Sequence, residues 1–491
     1  MHGALPTLGI STTRTIESGL HFVRRAGMAG GRPSAPTLPL SMQSRSESAP
    51  AVRPVPTADP APFDGDVFVI GGGPAGSTIA ALLAAQGRSV LLAERARHPR
   101  FHIGESLLPA NAGLFDRLGV RPEIERIGLA KYGVEFVSPD HAEPGRVEFG
   151  EAWDKSMTHA WQVRRSDLDE ILFRNATHRG AQAFEGCRVR QVEFDDDGAT
   201  VHAELDDGAR RSWRVRFVVD ASGRDTLLAN AIGCKRKNLK HNSSALYAHY
   251  RGARRLPGKL EGNITIFWFE HGWFWFIPLA DGTTSIGAVC WPYYLKSRDK
   301  RLPDFFADTI AMCPALAERL GEAERVSDVQ ATGNYAYSST VSSGDRYLML
   351  GDAYAFIDPV FSSGVLLAMQ SAFAGVEVVE ARLDRPRQAA RARRRFDRLM
   401  RHGPREFSWF IFRVSSPTMR EMFMQPQNPL RVKEALLSLL AGDIFGKTPI
   451  WPSIFAIKLF YYLISLGHLG RSLAFWRRRR VNIRDHGAPA S

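Results

Sequence analysis

Apolar residues come first in short unbroken runs bounded by glycine, which predict buried strands. DVFVI (66–70) is such a run. It is followed by GGGPAGS (71–77) and an alanine-rich stretch that reads as helix to about Gln86. RSVLLAERA (88–96) predicts a second strand ending at Glu94, so this region opens as strand, helix, strand. Farther on, DDDG (195–198) and DDG (206–208) are turn signals between β-rich runs and predict a small antiparallel meander. RFVVDASGR (216–224) reads as a strand leaving into a turn of small residues, and Ser243 to Val289 is again β-rich. Within it GWFWFIPLADG (272–282) alternates with period 2. Trp273 and Trp275 fall on one face and phenylalanines on the other, and Pro278 removes a donor from the ladder. LAKYGVEFV (129–137) reads as the start of another strand. RYLMLGDAYAFIDPVFSSGVLLAM (346–369) predicts strand, loop and helix, and the chain from there to Arg480 reads as mostly helical, with no internal repeat.

Composition narrows the class. A chain of 491 residues with 44% hydrophobic content exceeds what one core usually serves. Cys187, Cys234, Cys290 and Cys313 are scattered without a CxxC pair, which excludes a zinc or disulfide framework and points to a reducing cytoplasm. The net charge of +13 raises nucleic acid as a partner, but no reading motif accompanies it. Much of the excess lies in RQAARARRRFDRLMRHGPR (387–405) and FWRRRR (475–480), as expected of solvated helix faces, acidic partners or an anionic membrane surface. Residues 1–62, rich in Ser, Pro, Ala and Arg, predict a disordered extension. No secretory or twin-arginine signal is expected at Arg24-Arg25, and Met28 and Met42 are alternative starts.

Chemistry enters at the first loop. Gly71-x-Gly73-x-x-Gly76, with Ala75 between, sits directly after a strand and before a helix. That arrangement brings backbone N–H groups and the positive end of the helix to a pyrophosphate. Glu94, 23 residues past Gly71, is placed to bind a ribose hydroxyl. The loop alone does not separate NAD from FAD.

DASGR (220–224) and GDAYAFIDP (351–359) resemble the second and third fingerprints of the flavoprotein hydroxylases and their relatives. That resemblance implies FAD, with Asp352 on its ribityl chain, Pro359 and Gly364 beside the flavin, and a helix from about Ser362 aimed at the flavin's pyrimidine end. Gln162 and Arg165, ahead of a helix capped by Ser166, are candidates for the FAD phosphates or ribityl.

Trp273-x-Trp275-x-Ile277-Pro278, taken with GGGPAGS, FHIGESLLP (101–109), FIDPVFSSG (356–364) and NPLRVKEALLSLLAGDIFGKTPIW (428–451), is similar to the flavin-dependent halogenases over about residues 65 to 480, and to their phenol- and pyrrole-acting branch. The resemblance implies an α/β fold with three parts. These are an FAD-binding Rossmann-like module with an interleaved substrate-side sheet (63–380), a helical region over the substrate site (381–480) and a tail (481–491). It implies FADH2 from a separate flavin reductase, O2, and chloride or bromide. A flavin hydroperoxide would yield hypohalous acid, which passes to a lysine and then to an electron-rich arene. Lys131, five residues before Phe136, fits that lysine, and the tryptophans would form the wall between flavin and arene.

Where tryptophan halogenases carry a glutamate before the serine, this chain has Phe361, so no catalytic glutamate is carried over and a phenol or pyrrole is the expected substrate. Phe361, Ser362, Ser363 and Gly364 would shape the halide site. Glu105 is a second acidic candidate, equally suited to a structural role. In the family the C-terminal helices cover the substrate cavity, which makes an acyl or peptidyl carrier protein an expected partner. For WPSIFAIKLFYYLISLGHLGRSLAFWRRRR (451–480), packing on the chain's own fold is favoured over peripheral membrane contact. A homodimer is a further expectation. Two other readings stay open. One is a hydroxylating FAD monooxygenase, or a related isoprenoid-chain reductase, using NAD(P)H directly. The other is a non-catalytic, membrane-docked flavoprotein.

Overall fold

The computed structural model describes residues 62–238, 242–333 and 336–483, so the expectations for residues 1–61 and most of the tail lie outside the described residues. The opening run becomes the strand Gly65–Ile70, the helix Pro74–Ala85 and the strand Val90–Glu94. Gly65–Ile70 sits inside a seven-stranded sheet, parallel to Val90–Glu94 on one side and to Arg210–Asp220 on the other. A parallel pair needs a crossover, and the alanine-rich helix supplies the first. The meander follows as Cys187–Phe194, Ala199–Leu205 and Arg210–Asp220, paired antiparallel. Tyr347–Met349 then adds in parallel against Arg210–Asp220 and delivers the chain to the loop before the long helix Gly364–Asp384.

The second large sheet has eight strands, with the tryptophan strand Gly272–Pro278 between Ile264–Phe269 and Thr283–Cys290. Both its faces are covered. Trp273, Trp275 and Ile277 belong to the core shared with the first sheet. Phe274 and Phe276 join a separate core under the helices Leu302–Ala311 and Pro314–Leu320. Trp275 lies flat on its neighbour strand because Gly287 faces it in register; a Cβ there would come within 2.1 Å of the indole.

LAKYGVEFV forms two strands rather than one. Leu129–Lys131 pairs with Ala160–Gln162 in a small sheet, and Gly133–Val137 joins the eight-stranded sheet parallel to Ile264–Phe269. Asn263 accepts from the Tyr132 and Gly133 N–H groups at 3.0 and 2.8 Å, pinning the chain where it changes sheets.

The C-terminal region is helical. Pro417–Met424 packs against Gly133–Val137 through Phe423, whose ring stacks on Phe136 at 4.8 Å. Trp451–Gly467 and Leu469–Ile483 meet at a bend of 104°. The expectation that this segment buries its apolar surface holds on one side only. Ile454, Ile457 and Tyr461 are buried, while Phe455 is 71% exposed and Leu463 54%.

Candidate functional site

A cavity of about 850 Å3 opens where the first sheet ends and the second begins. That volume lies within the range of cofactor sites. Its floor is the glycine loop. Gly71 has φ +100°, and a Cβ on it would meet the Ala221 carbonyl oxygen at 2.4 Å. A Cβ on Gly76 would stand 1.9 Å from the Gly71 oxygen. Glycine is therefore required for strand, loop and helix to cross this closely. Pro74 is the first helical residue, where its missing N–H costs nothing, and the free N–H groups of the first turn lie at the cavity. The Ser77 hydroxyl donates to the Gly72 carbonyl at 3.0 Å and tightens the turn.

Glu94 stands at the predicted strand end, on the cavity wall. Its Oε2 accepts from the Gly72 N–H at 2.8 Å and its Oε1 from the Ala96 N–H at 3.0 Å, fixing the carboxylate. Arg165 lines the same cavity but is the first residue of the helix Arg165–His178, not a residue ahead of it. Ser166 does not cap that helix; its hydroxyl donates to Asp167. Gln162 is fully buried, donates to the Gly262 carbonyl at 2.9 Å and does not line the cavity.

Two functional residues escaped the sequence reading. Asp169, fully buried, holds Arg165 through paired bonds of 2.9 and 3.1 Å, and holds Arg100 at 2.9 Å. Both guanidiniums line the cavity. The arginines keep the Asp169 carboxyl below its ordinary range against the desolvation that opposes them. The spacing Arg165-x-x-x-Asp169, one helical turn, was the available signal. Replacing Asp169 by Asn strands both arginines. We expect a loss of about 3 kcal/mol of stability and weaker flavin retention, read by thermal melts and flavin content.

The other two fingerprints close the cavity. Asp220 is a staple, accepting from the Ser222 and Leu228 N–H groups at 2.9 and 2.7 Å. Asp352 lies on the cavity wall, where desolvation pushes its carboxyl up to about 6 while Arg165 and Arg224 pull it down. Pro359, Ser362, Ser363 and Gly364 also line the cavity. The long helix begins at Gly364, two residues later than expected, and neither serine caps it with its side chain. Ser362 instead takes a left-handed conformation, φ 56°, a strained position for a side-chain-bearing residue beside a cofactor cavity. Asp358 props this loop, accepting from the Val360 N–H at 3.2 Å and the Ser243 hydroxyl at 3.0 Å.

Lys131 is 1% exposed. Its Nζ donates to the Ser106 hydroxyl and the Leu107 carbonyl, each at 3.0 Å, and lies over the Phe149 ring. Among the described residues no carboxylate pairs with it. Desolvation alone lowers its pKa to about 7. It lines a second, small chamber of about 10 Å3, whose other walls include Val134, Phe136, Phe361 and Leu440. Ser362 and Ile264 line both spaces. Trp273 and Trp275 line the large cavity and not the small chamber. In register across the sheet Trp275 faces Ile266, which faces Phe136. The strand Ile264–Phe269 therefore stands between the indoles and the lysine chamber. Glu105 also lines the large cavity, 2.8 Å from buried His249.

The family of FAD binding domains matches residues 64–382. The flavin-dependent halogenase gsfI of Penicillium aethiopicum is 35% identical over 64% of this chain, and the chain spans 64% of gsfI's length. The 1H-pyrrole-2-carbonyl-(peptidyl-carrier protein) chlorinase of Pseudomonas fluorescens is 29% identical over 78% of this chain and 90% of its own. The solved structure of the myxobacterial chondrochloren halogenase CndH superposes with a TM-score of 0.68 at 33% identity, covering 79% of this chain and 92% of CndH. The chain belongs to the FAD-binding-domain family and, within it, to the flavin-dependent halogenases. The cavity fits FAD by its own chemistry: a glycine loop at a helix start, a fixed carboxylate at the second strand end, two arginines of which Arg100 stands 3.5 Å from that carboxylate, and the Asp352 carboxyl.

Proposed function

We propose that this chain is an FADH2-dependent halogenase that chlorinates or brominates a phenol or pyrrole, free or tethered to a carrier protein. The observation that carries the reading is Lys131, a buried amine without a carboxylate partner among the described residues, in a chamber that shares Ser362 and Ile264 as lining residues with the cofactor cavity. Gly71, Gly73, Ala75 and Gly76 would hold the FAD pyrophosphate, Glu94 the ribose and Asp352 the ribityl chain, with Arg165 and Arg100 balancing the phosphate charge. When bound, FADH2 from a separate reductase would supply, with O2, the oxidising power needed to turn halide into hypohalous acid. The loop Phe361–Gly364 would seat the halide, and the indoles of Trp273 and Trp275 exclude water from the flavin side.

Near neutral pH about half of Lys131 is uncharged and nucleophilic. Its Nζ attacks the halogen of hypohalous acid, giving a haloamine and water. The arene then takes the halogen and returns its proton to the amine. Among the described residues no carboxylate lines the Lys131 chamber. That suits an arene activated by its own oxygen or nitrogen. The chamber is far smaller than an arene, so substrate entry requires Phe361 and the helices carrying Phe423 and Leu440 to part from Phe136.

The test is product mass spectrometry with protein, FAD, NADH, a flavin reductase, O2, chloride or bromide, and a panel of phenols and pyrroles, free and carrier-bound. A halide-dependent shift with the halogen isotope pattern is expected. A one-oxygen shift indifferent to halide would assign the chain to the hydroxylases instead. The lysine also predicts a pH profile. Below about 7 the neutral amine falls about tenfold per pH unit, so halogenation should fall with it while flavin oxidation continues. A halogenation rate flat from about pH 5.5 to about pH 8, across the value of about 7, would remove the amine from the step.

A further inference from the structure

We propose that the C-terminal helices dock this protein on an anionic membrane surface, lying in the interface without spanning it. Trp451, Phe455, Leu459, Tyr462 and Leu466 recur at helical spacing along Trp451–Gly467, and all are exposed, Leu466 by 64%. The apolar exposure continues past the bend at Leu469 and Leu473. A stripe of this kind on a folded chain signals a partner, because isolated exposed apolar residues do not line up along one helix face. The opposite side of the same helix is fixed to the protein through Ile454, Ile457 and Tyr461, so the helix cannot leave to cross a bilayer.

Charge selects the partner. Between Asp443 and Asp485 the sequence holds no acidic residue and eight lysines and arginines. Lys458 is neutralised by Glu406 at 3.0 Å, but Arg471, Arg477, Arg478 and Arg480 are exposed and pair with no carboxylate among the described residues. Arg479 alone turns inward, buried against the rings of Trp291 and Trp476, and so anchors the second helix with its neighbours facing out. A second copy would bring like charge against like. An acidic carrier protein would match the arginines and leave the apolar stripe in water. Lipid headgroups over acyl chains satisfy both, with apolar side chains in the boundary and guanidiniums on phosphates.

The experiment is vesicle flotation of the full chain, using phosphatidylcholine vesicles with and without phosphatidylglycerol. The wild type should float with the anionic vesicles and release as salt rises. Phe455→Ser/Leu459→Ser/Leu463→Ser should bind about a hundredfold more weakly. Arg477→Gln/Arg478→Gln/Arg480→Gln should lose the preference for phosphatidylglycerol. Retained flavin and product formation show that both variants are folded. The proposal is overturned if the wild type stays in solution with both vesicles, or if the serine variant floats as the wild type does. It is equally overturned if sedimentation finds a dimer that the serine variant dissolves and no vesicle binding, which would make the stripe a self-interface.

Discussion

Lys131→Met should abolish halogenation, by about a thousandfold or more, while flavin content and flavin oxidation persist. Methionine follows the lysine chain out to the Cε position without its amine and suits walls built from Val134, Phe136, Phe361 and Leu440. The substitution removes only two hydrogen bonds, to the Ser106 hydroxyl and the Leu107 carbonyl. Ser106 lines the large cavity and can bond water there. It also removes an amine that folding had to strip of water, so the melting temperature should stay within several degrees of the wild type. The informative readout is where the oxidant goes. With the amine gone, hypohalous acid formed in the flavin cavity has no acceptor and should escape to a thiol trap in solution. A variant that halogenates at the normal rate would take the relay away from Lys131. One that loses flavin as well would make the lysine structural.

The flavin half of the site was legible because its demands are local. A pyrophosphate needs glycines at fixed spacing between a strand and a helix, and a ribose needs an acid one strand later. Both requirements sit within the stretch Gly71 to Glu94, and both residues stand where expected. The period-2 alternation of Trp273 and Trp275 likewise fixed which face each indole takes, because strand sidedness needs no tertiary information. Lys131 was reached only through a family resemblance; a lysine between Ala130 and Tyr132 carries no mark of burial in its own neighbourhood. What desolvates it is Phe149, Phe361 and Leu440, brought together from distant parts of the chain. The strand between the indoles and the lysine chamber was equally out of reach. Sidedness is local, but which strand separates two cavities is set by strand order, here Gly133–Val137 beside Ile264–Phe269 beside Gly272–Pro278. Asp169 was missed because an acid one helical turn after an arginine usually marks a surface pair. Here its partner Arg100 lies far upstream in sequence.

Gly76→Ala should cost the cofactor altogether. The added Cβ would lie 1.9 Å from the Gly71 carbonyl oxygen and 3.2 Å from the Ala221 side chain. Gly71 cannot retreat, because its own Cα already faces the Ala221 carbonyl with φ +100°, a conformation open to glycine. The helix start must therefore move off the strand end, and the first-turn N–H groups lose their aim at the pyrophosphate site. Such overpacking against backbone costs about 3 kcal/mol, and flavin affinity should drop by more than about a hundredfold, since a loop of this kind would supply much of the pyrophosphate binding. Flavin absorbance of the purified protein and a fluorescence titration read the loss directly. Gly87→Ala is the control. It shares a positive φ of +84° at the end of the same helix but has no atom within 4 Å of the added Cβ. It should lose about 1 kcal/mol from backbone strain alone and bind flavin as the wild type does. If Gly76→Ala kept full flavin occupancy, the close crossing of strand, loop and helix would not be what holds the cofactor, and the arginines fixed by Asp169 would have to carry that binding instead.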